Sequence, residues 1–210
     1  MTKSRIAAAA ALVAFVLAAS DLSGQSLKVK NLTSYWDGNL CIAGLVENSF
    51  DYSVRFVSLG LVCRDDAGKL VHTDTTYALC SIPPGVSIPF LFLISPDDAT
   101  GIKRYSVSVD DYSQGGGSNF GFEVAELAIT ERNDMWHKYS GIVKNRNDSA
   151  MKFVQIAFIG FDDADKMVVY ETTYANRSTI PAGDESVFEL LINTALSRKV
   201  KKYRCFAVSD

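Results

Sequence analysis

The chain contains 210 residues, of which 48% are hydrophobic, and its 21 basic and 24 acidic residues give a formal net charge of −3 at pH 7. This length suits one large domain or two small ones. Lysine and arginine are scattered apart from a short cluster at residues 198–202, so the charge pattern argues against a nucleic-acid partner.

The N-terminal 26 residues have the composition of a cleavable signal peptide. Lys3 and Arg5 precede an uncharged apolar run from Ile6 to Ala19, which matches the charged and hydrophobic regions of such peptides. The run is shorter than the roughly 20 residues that a transmembrane helix requires. We therefore expect cleavage between residues 19 and 26, no stable membrane span afterwards, and a mature protein that is periplasmic, secreted or at the cell surface.

The first predicted module, residues 27–112, shows the two-residue periodicity of half-buried strands. Apolar residues recur on one face of residues 27–30, 42–46, 57–63 and 87–94. These alternating segments predict strands, and their apolar residues predict the core of the module.

Turn signals separate the strands. Residues 65–69 form a short polar segment with Gly68 placed for positive φ, which predicts a hairpin with a bulge leading into residues 70–77. The Pro-Pro-Gly sequence at 83–85 predicts a tight turn. Residues 104–109 form the last predicted strand of this module.

A Gly- and Ser-rich linker, residues 113–121, follows the first module. Its run of glycines would lose too much backbone entropy to form regular structure. As a flexible coil the glycine-rich part reaches only about 15 Å. We expect two neighbouring modules that reorient freely unless an interface fixes them.

The second module, residues 122–210, repeats the first. A shift of 97 residues places residues 44–81 over 141–178 with 16 of 38 positions identical. In the hairpin, Asp165 takes the place of Gly68, and aspartate tolerates positive φ better than most residues. The duplication predicts the same strand order in both modules.

Short strands with regularly spaced turns and without helical periodicity predict an all-β protein. About seven strands in about 85 residues are typical of a β-sandwich. The predicted fold is therefore two tandem Ig-like β-sandwich modules. Only residues 97–100 and 194–198 suggest a helical turn.

Three motifs recur in both copies: a G-x-V-x-N strand at residues 44–48 and 141–145, a turn containing aspartate, and an I-P-x-G turn. Together they resemble the FxLYD-type domain, an Ig-like module of exported prokaryotic proteins. Residues 158–162 (FIGFD) fall at the family's naming motif, with Gly160 in place of its leucine, whereas residues 61–65 (LVCRD) keep only the aspartate. The resemblance implies a place in the cell envelope and attaches no catalytic residues.

Cys41, Cys63 and Cys80 lie in the first module and Cys205 in the second. Export places them in an oxidising compartment. One disulfide among the first three is expected, with its pairing left open by the spacing. No cysteine or histidine pattern has zinc-ligand spacing, so we expect neither a structural metal nor a cofactor.

Residues with catalytic or calcium-binding chemistry are few. The two histidines have no nucleophile motif beside them, so we expect no enzyme. Paired carboxylates fall at predicted turns, where aspartate bonds its own backbone. Asp162, Asp163 and Asp165 are the best candidates for a calcium site, with turn chemistry as the alternative.

Four aromatic residues occupy the same inter-strand region of the two copies: Tyr35, Trp36, Trp136 and Tyr139. Exposed tyrosine and tryptophan faces suit a sugar platform or a protein-binding hot spot. Core packing is the alternative, because aromatics supply much of the buried area of a small sandwich.

The pattern as a whole predicts a non-enzymatic exported protein of the cell envelope. Tandem sandwiches present edge strands that accept partner strands, so the expected partner is another envelope protein or a second copy of the chain. The alternative function is binding of a glycan or another small ligand through exposed aromatics, and burial of both tryptophans would remove its support.

Overall fold

The computed structural model describes the backbone of residues 13–16 and all of residues 26–209. The predicted signal peptide, residues 1–26, therefore lies outside the described residues except for residues 13–16 and 26. The described chain is almost entirely β-structure with one helix of four residues. Within it, no helix is long and apolar enough to cross a membrane.

The strands of the first module form two facing sheets. One sheet has the order β2-β3-β6 and the other the order β1-β7-β4-β5. All pairs are antiparallel except that β1 runs parallel to β7. The strands are β1 (Val13–Val16), β2 (Leu27–Asp37), β3 (Asn39–Asn48), β4 (Val54–Arg64), β5 (Leu70–Tyr77), β6 (Ser87–Ile94) and β7 (Arg104–Gln114).

The second module also has two main sheets, ordered β14-β9-β8 and β12-β11-β15, and a short β10-β13 pair. Its elements are β8 (Phe122–Arg132), β9 (Trp136–Asn145), β10 (Met151–Lys152), β11 (Gln155–Phe161), β12 (Met167–Tyr174), β13 (Thr179–Ile180), β14 (Glu185–Asn193), α1 (Thr194–Ser197) and β15 (Lys202–Val208).

The two modules have the same strand order. The strands β2, β3, β5, β6 and β7 correspond to β8, β9, β12, β14 and β15, and β4 corresponds to β10 and β11 together. The predicted all-β sandwich class is confirmed. Each module contributes six equivalent strands where about seven were predicted, and β1 is an additional strand at the edge of the first module.

The alternating apolar residues fill the space between the sheets, as the sequence predicts. Ile42 and Leu59 are fully buried in the first core, and Ile156 and Phe158 are fully buried in the second. Burial of such side chains stabilises each module by roughly 1.5–3 kcal/mol per residue.

A glycine and a phenylalanine make the same close contact in both modules. A Cβ added to Gly44 would lie 2.6 Å from Cζ of Phe90, and one added to Gly141 would lie 2.6 Å from Cζ of Phe188. Each phenylalanine ring therefore packs directly on the backbone of the neighbouring strand. This contact explains why both residues recur in the repeat.

The asparagine of the G-x-V-x-N motif holds the loop beyond its strand. Nδ2 of Asn48 donates to the carbonyl oxygens of Tyr52 and Ile82, at 2.8 Å each, while its Oδ1 accepts from the backbone N–H of Phe50 at 2.9 Å. Asn48 has no exposed surface. Its side chain therefore satisfies backbone groups that would otherwise be buried without partners.

Asn145 repeats this arrangement in the second module. Its Nδ2 donates to the carbonyl oxygens of Ser149, Ile180 and Pro181, and its Oδ1 accepts from the N–H of Asn147. Asn145 is also fully buried. The asparagine thus joins the end of β3 or β9 to the I-P-x-G turn of the same module by hydrogen bonds.

Positive backbone φ angles recur at equivalent sites. The hairpin positions Gly68 and Asp165 have φ of 81° and 58°, as the sequence predicts. Asn31 in β2 and Glu126 in β8 have φ of 50° and 55° where the strand register shifts. Such bulges bend edge strands and interrupt their pairing.

The segment between the modules is ordered by hydrogen bonds, which differs from the flexible linker predicted for residues 113–121. The strand β7 continues through Gln114. The N–H of Gly115 donates to the carbonyl of Ser53, and Asn119 exchanges two backbone bonds with Ser209. Because both modules supply partners, the segment fixes their spacing.

An apolar interface joins the modules, so they do not reorient freely. The outward face of β3, with Ala43 and Leu45, packs against the outward faces of β11 and β12. Tyr35 of β2 adds a polar contact there, because its hydroxyl accepts from the N–H of Tyr170 at 3.1 Å and lies 3.4 Å from the Tyr170 carbonyl. Both β3 and β11 are therefore buried on two faces.

Candidate binding cleft of the second module

A cleft of about 580 Å³ opens between β8 and β15. These are the edge strands of the two sheets of the second module, and they are not paired with each other. The beginning of β6 and Phe120 close one side, so both modules contribute to the cleft. Its lining includes Phe122, Val124, Leu127, Tyr203, Cys205 and Ala207.

The cleft is apolar at its base and charged at its rim. Val124, Leu127 and Cys205 are partly buried and pack against the second core, whereas Glu126 and Arg204 are exposed. Burial raises the pKa of the Cys205 thiol to about 12, so this thiol stays protonated at neutral pH. Such a groove suits an apolar ligand better than a charged one.

The structure places two of the four candidate aromatic residues in internal contacts, which agrees with the core-packing alternative for these two. Tyr35 lies in the inter-module interface, where burial raises its pKa. Tyr139 is buried, and its hydroxyl contacts Oγ of Ser197 at 2.7 Å. Trp36 is 56% exposed and Trp136 is partly exposed, so these indoles keep accessible surface.

Ser197 also contacts Nδ1 of His137 at 2.8 Å, which brings a serine and a histidine within hydrogen-bonding distance. Both side chains and Tyr139 are buried, and none of the three lines the cleft. Burial, with Arg132 and Arg198 nearby, lowers the pKa of His137. The neutral imidazole and the tyrosine both bond Ser197, so this cluster anchors α1 to β9.

The candidate calcium ligands take part in a hairpin turn. Oδ1 of Asp162 accepts from the N–H groups of Ala164 and Lys166, at 2.9 Å each, and Asp165 pairs with Lys202 at 2.8 Å. Among the described residues no group of three or more His, Cys, Asp or Glu side chains is arranged to hold a metal ion.

No disulfide joins Cys41, Cys63, Cys80 and Cys205, all of which lie in the described part of the chain. This corrects the expected bond among the first three. Cys63 points into the core of the first module. Cys41 alternates with the core residues Leu40 and Ile42 and so points out of the sheet toward Glu171 of the second module. The two thiols therefore lie on opposite sides of the sheet that contains β3.

Glu171 brings a titratable carboxyl to the module interface. Burial, together with the nearby Asp37 carboxylate, raises the pKa of Glu171 to about 7. Burial and the same carboxylates raise the pKa of the Cys41 thiol to about 11. The interface therefore gains negative charge near neutral pH.

Two exposed phenylalanines were missed by the sequence reasoning. Phe56 and Phe153 occupy equivalent positions, are 68% and 69% exposed, and have φ of 52° and 49°. A bulky residue at positive φ is uncommon. The available signal was the break in alternation, since the buried residues Val54 and Val57 are three positions apart.

No family model and no curated protein matches the chain. Solved structures that match include a transglutaminase from red sea bream, with 10% identity and a TM-score of 0.29 over 80% of this chain. A calcium-binding mutant of Bacteroides uniformis β-glucuronidase 2 matches with 11% identity and a TM-score of 0.24 over 78% of this chain. The chain spans 27% of the first protein and 23% of the second.

A third similar structure is the N-terminal tandem of CBM22 modules of Xyn10C from Paenibacillus barcinonensis. It shares 11% identity and a TM-score of 0.20, with 89% of this chain and 84% of that one covered. All three scores are low, so these similarities assign neither a family nor a function to the chain.

Proposed function

We propose that this chain is an exported, non-enzymatic binding protein of the cell envelope, and that the cleft between β8 and β15 is its binding site. The proposal is carried by one observation: two unpaired sheet edges and an apolar base meet in a cleft that the neighbouring module helps to close. The apolar interface and the hydrogen-bonded linker hold this geometry. A prearranged site loses less conformational entropy on binding than a flexible one.

A protein partner fits the cleft better than a soluble small molecule. Unpaired strand edges offer backbone N–H and C=O groups to an extended peptide. The apolar side chains between the edges offer pockets for alternate side chains of such a peptide. We expect the partner to be another envelope protein.

Glycan binding through Trp36 is the second candidate function. Its indole is 56% exposed, and exposed tryptophan faces are common at binding surfaces. Trp36→Ala would abolish glycan binding while leaving partner binding at the cleft unchanged. Titration of the full chain with envelope polysaccharide, followed by tryptophan fluorescence, separates the two candidates.

Site-specific photocrosslinking tests the proposed function. A photoreactive phenylalanine analogue replaces Leu127, in the cleft, or Leu191, which is 57% exposed on β14 of the same module. After irradiation in the producing cell, the Leu127 variant should yield a discrete adduct to another envelope protein, and the Leu191 variant should not. The same adducts from both positions, or none from Leu127, would contradict the proposal.

A further inference from the structure

The first module shows which strand lies at the position equivalent to the cleft. In the unprocessed chain, before the expected cleavage of the signal peptide, β1 lies beside β7 and pairs with it in parallel, with Val13 opposite Arg104 and Val16 opposite Val107. In the Ig sandwich the sheet that contains strands C and F continues outward to strand G. Because β4 and β7 take the positions of C and F, β1 takes the position of G.

Within the described residues, the equivalent edge of the second module has no such strand. Residues 104–107 of β7 correspond to residues 202–205 of β15, and β15 ends its sheet in the described part of the chain. Tyr105 is 3% exposed, whereas its equivalent Tyr203 is 52% exposed. Val107 is fully buried, whereas its equivalent Cys205 lines the cleft.

We infer that the second module binds an extended, uncharged apolar segment of another polypeptide, which adds to β15 as a parallel seventh strand. This inference rests on the proposed function and names the occupant of the same cleft. The occupant's chemistry follows from β1, whose sequence is Val-Ala-Phe-Val. The same fold accepts that segment at the equivalent edge, and the cleft base offers apolar contacts to one face of it.

The two modules differ in a way that supports an added strand. A β15 edge without a partner leaves backbone N–H and C=O groups facing the cleft, and an incoming strand satisfies them. The β8 edge on the other side is bent by the bulge at Glu126. That bend limits regular pairing with β8 and directs the strand to β15.

The pairing of β1 with β7 also gives a register for the added strand. By equivalence, a residue in the position of Val13 lies opposite Lys202, and one in the position of Val16 lies opposite Cys205. The native thiol therefore reports both the position and the direction of the strand. The other three cysteines are buried and compete little for a reagent.

Disulfide trapping on the full chain tests the inference. Two peptides carry the sequence of residues 11–18 flanked by lysines, one with Val16→Cys and the other with Val13→Cys, each thiol activated as a thiopyridine mixed disulfide. The Cys205 thiol loses its proton to the buffer as its sulfur attacks the peptide sulfur, and thiopyridone is released. Because docking raises the effective concentration of the reacting sulfur, the Val16→Cys peptide should couple about tenfold faster or more, as followed by intact mass.

Matched variants control the experiment. Cys205→Ser should remove the adduct, and Leu127→Lys should reduce the difference between the peptides whereas Leu191→Lys preserves it. The comparison of the two peptides uses the unsubstituted chain, so it remains decisive even when Leu127→Lys impairs folding.

Three results would overturn the inference. Equal coupling rates mean that no register is imposed, and faster coupling of the Val13→Cys peptide means an antiparallel strand. Coupling that is suppressed when the chain concentration rises means that a second copy of the chain occupies the cleft. Discrete photoadducts from Leu127 together with any of these results would leave the proposed binding function intact, whereas specific peptide coupling without photoadducts would count against the envelope partner.

Discussion

Replacement of Asn145 by alanine tests whether the hydrogen bonds of the repeated asparagine stabilise the second module. The substitution removes every hydrogen bond of the Asn145 side chain, and the three shortest bonds to the backbone join it to the carbonyl oxygens of Ser149 and Ile180 and to the N–H of Asn147, at 2.8, 2.9 and 3.0 Å. Each bond contributes roughly 1 kcal/mol net, so the free energy of unfolding of the second module should fall by about 3 kcal/mol. Unpaired groups that stay buried would raise this cost.

Urea unfolding followed by tryptophan fluorescence measures the effect module by module. In a Trp36→Phe background, the signal comes from Trp136 in the second module. At an m-value of about 1–2 kcal/mol/M, the midpoint should fall by roughly 2 M. Asn133→Ala is the matched control, because Asn133 makes its backbone contacts on the exposed surface. A midpoint that falls no more in Asn145→Ala than in Asn133→Ala would contradict a structural role for the Asn145 hydrogen bonds.

Three further predictions concern the interface and the core. The folded-state pKa of Glu171 lies above its ordinary value, so the folded protein binds the proton more tightly than the unfolded chain, and stability falls as pH rises from 4.5 to about 7. At about 1.4 kcal/mol per pKa unit, the loss is no more than about 3 kcal/mol, and Glu171→Gln should remove it when urea midpoints are compared at pH 4.5 and pH 8. Gly141→Ala should destabilise the second module by about 1–3 kcal/mol through the contact with Phe188, as measured by thermal unfolding. Tyr35→Phe should cost about 1–3 kcal/mol in urea, because the edge N–H and C=O of Tyr170 lose their partner.

Controls for these predictions come from the same chain. A Cβ on Gly117 meets no atom within 4 Å, so Gly117→Ala should leave the melting temperature unchanged. Tyr77 is exposed, and Tyr77→Phe should not change the urea midpoint. A pH dependence that survives Glu171→Gln, or equal effects of the paired glycine or tyrosine substitutions, would contradict the respective mechanism.

Local patterns predicted the strands and the turns. The alternation at residues 57–63 gave the core row of β4, and the glycine and aspartate of the two hairpins gave positive φ at Gly68 and Asp165. These features depend on neighbours in the chain, so a single sequence contains them. The duplication strengthened the prediction of strands and turns, because the same pattern occurs in both copies.

Long-range contacts were not predicted. Residues 40–46 of β3 (LCIAGLV) form a continuous apolar run, which is typical of a strand buried on both faces, yet only its inner face was assigned. The partner of its outer face lies on β11, more than a hundred residues away. The same limit applies to Tyr35, because its hydrogen bonds with Tyr170 give no local signal.

The cleft was also beyond the sequence. It exists because β8 and β15 lie side by side without pairing, and residue types do not reveal which sheet edge lacks a neighbour. The repeat aligns Tyr203 and Cys205 with Tyr105 and Val107. Both of these equivalents are buried core residues, so the repeat alone does not reveal that Tyr203 and Cys205 line a cleft. Their accessibility is a property of the completed fold.

The interface between the modules joins unlike faces: the outside of the sheet containing β3 contacts the outside of the sheet containing β11. Contacts of this head-to-tail kind propagate into open filaments when every unit carries both faces. The free face of β9 carries Lys138, which pairs with Glu131 and Glu189, where β3 has Cys41. Likewise β5 has exposed Thr73 where β12 has buried Tyr170. Divergence of the two copies thus places charged or polar side chains on the faces that a further contact of this kind would need to be apolar.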